Sequence, residues 1–162
     1  VAITGGEPLL RNDIEELLTS IKALGYLIKL DTNGNHPDVL KRIVEKGLVD
    51  YVAMDIKNSP DRYAPTIGLK TFDLSKVMES KEFLLQGKVE YEFRTTVVKE
   101  LHDEDSFKEI GPWIQGAQKY YLQTFVDRDK VMFSGLSAYD KEEMEKLAKI
   151  VEPYVQHIEI RG

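Results

Sequence analysis

Short β-rich runs alternate with stretches of helical periodicity along the chain, and this alternation constrains the fold more than any other feature. The β-rich runs are Val1–Ile3, Tyr26–Leu30, Tyr51–Met54, Val89–Val98, Tyr120–Leu122 and His157–Ile160. Between the first two, Ile14, Leu17, Leu18, Ile21 and Leu24 recur at helical spacing after Asn12-Asp13 and stop at Gly25, which predicts a helix. A second begins at His36-Pro37-Asp38, carries Val39, Leu40, Ile43 and Val44 on one face and ends at Gly47; proline is tolerated in a first helical turn. A third follows Asp73, with Leu74, Val77, Met78, Leu84 and Leu85 before Gly87. A fourth is expected from Asp103 to Ile110, broken by Gly111-Pro112, and a last from Tyr139 to Val151, opened by Ser137 with Asp140 three residues on as a capping box.

Alternation of this kind predicts an α/β fold, with parallel strands joined by right-handed crossovers and helices packed outside. An open doubly wound sheet and a partial barrel both fit. The longest irregular segment, Asn58 to Thr71, holds Pro60, Pro65 and Gly68 and reads as a functional or mobile loop. No repeat or linker divides the chain, so residues 1–162 are expected to form a single domain large enough to bury a core. No apolar run approaches the roughly 18 residues that cross a bilayer, which points to a cytoplasmic protein with no membrane partner. The net charge is −6, and Lys and Arg are interleaved with Asp and Glu, which argues against extended nucleic-acid binding. There is no cysteine, hence no disulfide, thiolate nucleophile or sulfur-ligated metal within these residues.

In parallel α/β folds ligands bind at the carboxyl ends of the strands, and five of the predicted strands end in polar groups. These are Gly5-Gly6-Glu7, Asp31-Thr32-Asn33-Gly34, Asp55-Ile56-Lys57, Arg94-Thr95-Thr96 and Gln123-Thr124. Each has a plainer reading. Gly5-Gly6 and Asn33-Gly34 suit tight turns, Asp55 and Lys57 could form an ion pair on one strand face, and Arg94 could pair with Glu90 or Glu92. Asp31 is harder to dismiss, because a carboxylate directly after Leu27-Ile28-Lys29-Leu30 is costly to bury without a partner. His36 reads as a helix-start residue, and His102 and His157 lack metal-ligand spacing.

Thr4-Gly5-Gly6-Glu7-Pro8-Leu9-Leu10, followed by Asp31-Thr32-Asn33-Gly34 and Asp55-Ile56-Lys57, resembles the radical S-adenosylmethionine superfamily, in its branch of glycyl-radical-enzyme activating enzymes. Tyr91 to Val98 with Leu101-His102, and the ending Ile158 to Gly162, are more similar to anaerobic ribonucleoside-triphosphate reductase activating proteins than to pyruvate formate-lyase activating enzymes. The resemblance spans the chain and implies a partial parallel (β/α) barrel of the radical S-adenosylmethionine type.

By this resemblance, Gly5, Gly6 and Glu7 offer groups to the methionyl ammonium of S-adenosylmethionine. Asp31, with Thr32 and Asn33, sits near that ammonium and a monovalent cation. Asp55 meets the ribose or the same cation, and Lys57 pairs with the methionyl carboxylate. An amino acid zwitterion needs such partners, anionic or carbonyl at one end and cationic at the other. Arg94 and Gln123 are assigned as neighbours. Some relatives hold the ribose with a histidine in the fifth-strand loop, where this chain reads Gln123-Thr124-Phe125.

The family binds a [4Fe–4S] cluster through a three-cysteine loop ahead of the glycine-glycine-glutamate turn, and a cluster needs thiolates that this chain lacks. Val1 carries no methionine or other residue before it, so the expectation is a fragment beginning at the family's second strand, missing the first strand and the cluster loop and inactive alone. The resemblance implies an oxidoreductase parent that cleaves S-adenosylmethionine reductively, drawing on flavodoxin or ferredoxin, and removes a hydrogen atom from a glycine of a glycyl radical enzyme. Two other classes stay open: a lyase or aldolase-like barrel with a Schiff base on Lys57, and a non-catalytic module that binds a partner through Asn58–Thr71. Self-association along Val1–Thr4 is expected from an exposed strand edge.

Overall fold

The structure, a computed structural model, describes residues 1–126 and 135–162. Its strands are β1 (Ala2–Ile3), β2 (Lys29–Thr32), β3 (Tyr51–Asp55), β4 (Glu90–Val97), β5 (Tyr120–Thr124) and β6 (Ile158–Arg161), and they form a parallel sheet in the order β1-β2-β3-β4-β5-β6. The helices are α1 (Ile14–Ala23), α2 (Pro37–Glu45), α3 (Tyr63–Thr66), α4 (Ser75–Leu85), α5 (Glu104–Trp113) and α6 (Lys141–Val151). Strands alternating with helices, and parallel pairing throughout, agree with the α/β expectation. The chain divides into two compact units, Val1–Asp55 with Asp73–Glu92, and Ile56–Phe72 with Phe93–Gly162.

In the first unit β1, β2 and β3 pair in register Ala2↔Lys29 and Leu30↔Val52, and Ile28, Leu30, Val52 and Met54 are buried with Leu18 of α1 and Leu40 and Ile43 of α2. The apolar run at Tyr26–Leu30 does not all become strand: Tyr26 and Leu27 are exposed, and β2 starts at Lys29. The ladder begins where a partner exists, with Lys29 donating its N–H to Val1 O at 2.9 Å. Leu24, expected on the buried stripe of α1, is its exposed C-cap.

In the second unit β4, β5 and β6 pair as Phe93↔Tyr120 and Tyr120↔Ile158, with Phe93, Tyr120 and Leu122 fully buried against Phe107 and Ile110 of α5 and Leu147 of α6. Three sequence expectations change here. Helix α5 continues through Gly111-Pro112 to Trp113, because a proline in the last turn removes only the bond to the Lys108 carbonyl, and Lys108 faces solvent. The capping box of α6 is Asp140 with Glu143, not Ser137 with Asp140; the Ser137 N–H is taken by Glu100 Oε2 at 2.8 Å. The segment Asn58–Thr71 is not wholly irregular, since a 3-10 turn at Pro60–Arg62 leads into α3.

Candidate functional site

In the first unit the site is built on two turns and the carboxylate that joins them. Gly5, two residues past β1, takes φ +99°, a conformation that favours glycine, and a Cβ on Gly5 or Gly6 would meet nothing within 4 Å. The main chain at these glycines is exposed. Glu7 then caps the 3-10 turn Pro8–Leu10, its Oε1 accepting the Leu9 N–H at 3.0 Å, while Pro8 and Leu9 sink into the core. The same Oε1 accepts the Thr32 hydroxyl at 3.0 Å, and Oε2 accepts the Asn33 N–H at 2.7 Å. The second turn is closed in its own right. The Gly34 N–H donates to Thr32 Oγ1 at 3.1 Å, and the Ser80 hydroxyl from α4 donates to the Gly34 carbonyl at 2.7 Å. An open cavity of about 440 Å³ lies over the first turn, lined by Thr4, Gly5, Gly6, Glu7, Pro8 and Arg11 among others.

Asp31 and Thr32 fall on opposite faces of β2. The Thr32 side chain is buried and its hydroxyl committed to the turn, whereas Asp31 shares a face with Lys29, whose Nζ lies 3.6 Å from Asp31 Oδ1. Asp55 closes β3 and is half-buried. On β4 is a polar group that the sequence offered only as a partner for Arg94. Glu92 is buried at 1% exposure, accepts the Tyr51 hydroxyl on Oε2 at 2.8 Å, and has Lys29 Nζ 3.8 Å from Oε1. Its signal is legible in retrospect: Lys29 and Asp31, and Glu90, Glu92 and Arg94, put charge at every second position of strands that would be apolar on both faces in an ordinary parallel sheet.

In the second unit the segment after β3 is pinned residue by residue. The Ile56 N–H donates to Arg94 O at 2.8 Å and the Thr95 hydroxyl donates to Ile56 O at 2.7 Å. With its one hydrogen so used, Thr95 accepts the Tyr120 hydroxyl at 2.7 Å, and burial pushes the Tyr120 phenol well above its ordinary range. Lys57 is half-buried and its carbonyl meets His102 Nε2 at 2.8 Å. Asn58 is fully buried and donates through Nδ2 to Thr66 Oγ1 and Leu101 O, both at 2.8 Å. Arg94 is half-buried in the middle of β4 rather than at its end, and Gln123 is the last residue but one of β5, its Oε1 3.4 Å from the donating Thr96 hydroxyl. His102, set aside on spacing, is therefore a partner of the segment that carries Lys57. Burial holds its imidazole below its ordinary pKa.

The strand ends run further than hydrophobicity predicts. Asp31-Thr32, Asp55 and Gln123-Thr124 are ladder residues, paired as Asp31↔Ala53, Thr32↔Met54, Thr96↔Gln123 and Val97↔Thr124. Backbone pairing thus fixes the polar groups that a hydropathy reading leaves in loops. The first unit has the chemistry to hold an ammonium group, with exposed glycine main chain at one turn and the carboxylates of Asp31 and Asp55 on its strands. Its fit to S-adenosylmethionine rests on that donor set. A [4Fe–4S] cluster does not fit these residues: there is no cysteine, and among the described residues no group of three or more His, Asp or Glu could hold a metal ion.

The radical SAM superfamily signature matches residues 1–109. A Methanocaldococcus jannaschii protein named as a glycyl-radical enzyme activating enzyme is 30% identical over 99% of this chain and 70% of its own length. Among solved structures, a domain of a pyruvate-formate lyase-activating enzyme from Bacteroides vulgatus superposes with TM-score 0.80 at 15% identity, over 100% of this chain and 98% of that one. A radical SAM methyltransferase from Sphaerobacter thermophilus also gives 0.80, at 11% identity, over 99% of this chain and 50% of its own. These two likenesses show the fold, a partial barrel of this kind. The signature and the relative together show that the chain belongs to the radical SAM superfamily, in its branch of glycyl-radical enzyme activating enzymes.

Proposed function

We propose that these residues are the S-adenosylmethionine-binding part of an enzyme that generates a glycyl radical on a partner protein. The observation that carries the reading is the Glu7 brace: one carboxylate holds the Gly5-Gly6 turn against Thr32-Asn33 and leaves the glycine main chain exposed. In this reading Gly5 and Gly6 receive the methionyl ammonium through their backbone, with Glu7 acting through the turns it ties together. Asp31 and Asp55 supply the nearby negative charge and hold a monovalent cation, whereas Thr32, its hydroxyl committed to Glu7 and Gly34, serves that site only through the turn it closes. By the family resemblance Lys57 is assigned to the methionyl carboxylate, and Asn33, Arg94 and Gln123 are assigned as further cofactor contacts. The cofactor supplies the hydrogen-atom abstraction, and the residues named here bind and orient it. The iron–sulfur ligands are not among these 162 residues, so no step of the reaction is assigned to them. A cytoplasmic setting, an external flavodoxin- or ferredoxin-like reductant and a glycyl radical enzyme as protein substrate belong to the same proposal.

Isothermal titration of S-adenosylmethionine into the chain tests it. Binding should be weakened about tenfold or more by Lys57→Ala and by Asp31→Asn, as expected for charge-assisted contacts worth roughly 1.5–3 kcal/mol. Equal heats from the wild type and both variants would reject the assignment. Mass-spectrometric labelling of Lys57 by borohydride in the presence of carbonyl compounds would instead support a Schiff-base enzyme.

A further inference from the structure

The proposed role of Lys57 leaves a question open: a lysine side chain is long and mobile, so what fixes its root? The peptide that carries it is held on three consecutive residues, by Thr95 at Ile56, by His102 at Lys57 and by Leu101 and Thr66 at Asn58. Of these contacts, the one to Lys57 itself comes from a histidine.

We infer that His102 is a positioning residue for Lys57, orienting it through the Lys57 carbonyl. The inference rests on the reading of Lys57 as the carboxylate partner. His102 is 2% exposed and sits in the turn between β4 and α5, just before the N-cap Asp103. The Lys57 carbonyl can only accept, so Nε2 carries the hydrogen across the 2.8 Å contact. The neutral ring then presents a bare Nδ1, which accepts the Val98 N–H at 3.1 Å. The Val98 carbonyl, 3.2 Å from the same nitrogen, needs no hydrogen from it, because it already accepts the N–H groups of Leu101 at 3.1 Å and His102 at 2.9 Å. Both ring nitrogens are satisfied in one tautomer only.

The ring is held from outside as well. Phe107 packs beside it with centroids 6.1 Å apart, and the Tyr139 hydroxyl donates to the His102 carbonyl at 2.8 Å. A histidine locked in one tautomer, with its backbone clamped, is a rigid strut between the β4–α5 turn and the Lys57 peptide. A core histidine with a purely space-filling role would need neither the fixed tautomer nor the carbonyl contact.

The test compares His102→Phe, which keeps the ring volume and loses both polar atoms, with His102→Gln, whose amide nitrogen can reach the position of Nε2. Backbone ¹⁵N relaxation reads the strut without any ligand. Order parameters at Lys57 and Asn58 should fall from about 0.85 toward 0.6 in the phenylalanine variant and return in the glutamine variant. Unchanged order in His102→Phe would overturn the inference. Titration with S-adenosylmethionine then reads its consequence. His102→Phe should weaken binding about fivefold, His102→Gln less than twofold, and His102→Phe should add nothing in a Lys57→Ala background. Loss of the same factor with and without Lys57 would mean that His102 acts on the fold at large, and the inference would fail. If Lys57→Ala leaves affinity unchanged, the cofactor reading fails, whatever the relaxation data show of the strut.

Discussion

Glu7 accepts the Asn33 backbone N–H at 2.7 Å across 26 residues of sequence, so a single carboxylate sets the spacing of the first two turns. The same group takes the Leu9 N–H and the Thr32 hydroxyl. Replacing Glu7 by Gln turns one acceptor into a donor that faces other donors. Urea unfolding should show a loss of about 1.5–3 kcal/mol, the range for hydrogen bonds to a charged group. Glu16→Gln on the exposed face of α1 serves as the control and should stay within about 0.5 kcal/mol of wild type. Equal midpoints for the two variants would show that the brace contributes nothing.

Gly34 takes φ +77°, and a Cβ there would collide with the end of the buried Met54 side chain. Gly34→Ala carries both a backbone and a steric penalty and should destabilise by about 2 kcal/mol or more. Adding Met54→Ala removes the collision and leaves the backbone strain. The double variant should therefore lose less than the sum of the two single losses, by a coupling of about 1 kcal/mol. Strict additivity in the thermal or urea midpoints would contradict this account.

The Tyr51 hydroxyl donates to the buried Glu92 carboxylate at 2.8 Å, with Lys29 Nζ 3.8 Å away. Tyr51→Phe removes a donor from a desolvated charge and should cost about 1–3 kcal/mol. Glu92→Gln in the Tyr51→Phe background should restore part of that loss, because a neutral amide is cheaper to bury than an undersupported carboxylate. Chemical denaturation of these two variants beside the wild type decides it, and a Glu92→Gln that deepens the loss rules it out.

Asp103 is held at a pKa of about 2 by the Arg62 guanidinium at 2.6 Å and by the Ser106 N–H at 2.9 Å at the start of α5. A carboxyl depressed in the folded state is protonated more readily when unfolded, so its stabilisation is complete above roughly pH 4 and drains away as pH falls toward 2. Arg62→Gln should shift the Asp103 carboxyl ¹³C titration upward and shrink the acid-limb slope of stability. Because both side chains are over a third exposed, the energetic gain is well below what the shift alone implies. An unmoved titration would mean that the Ser106 contacts alone set the value.

Element order, the parallel α/β class and the positions of most helices were legible because they depend on local periodicity and on glycine and proline punctuation. Gly25, Gly47 and Gly87 stop their helices as read, each at positive φ. Strand ends were not, since Asp31-Thr32 and Gln123-Thr124 are strand only by virtue of the neighbours they pair with. The same limit hid the α6 cap. Ser137 is an acceptable N-cap on paper, but its N–H is claimed by Glu100, 37 residues away, and Asp140 caps instead.

The candidate site divides along the same line. The residue types at the turns, Gly5-Gly6-Glu7, Asp31-Thr32-Asn33-Gly34 and Asp55-Ile56-Lys57, stand in the sequence, and with them the family. What each side chain does belongs to the tertiary structure. Glu7 reads as a ligand-facing acid at a strand end and is a brace. Thr32 and Asp31, adjacent in sequence, serve opposite faces of one strand. Arg94 lies mid-strand, and His102, noted in the sequence only beside Leu101 and without metal-ligand spacing, grips the Lys57 carbonyl from 45 residues away. A sequence fixes which hydrogen-bonding groups exist and how they repeat. Which of them are spent holding the fold, and which remain for a ligand, is decided only when distant strands pair and burial removes water as the alternative partner.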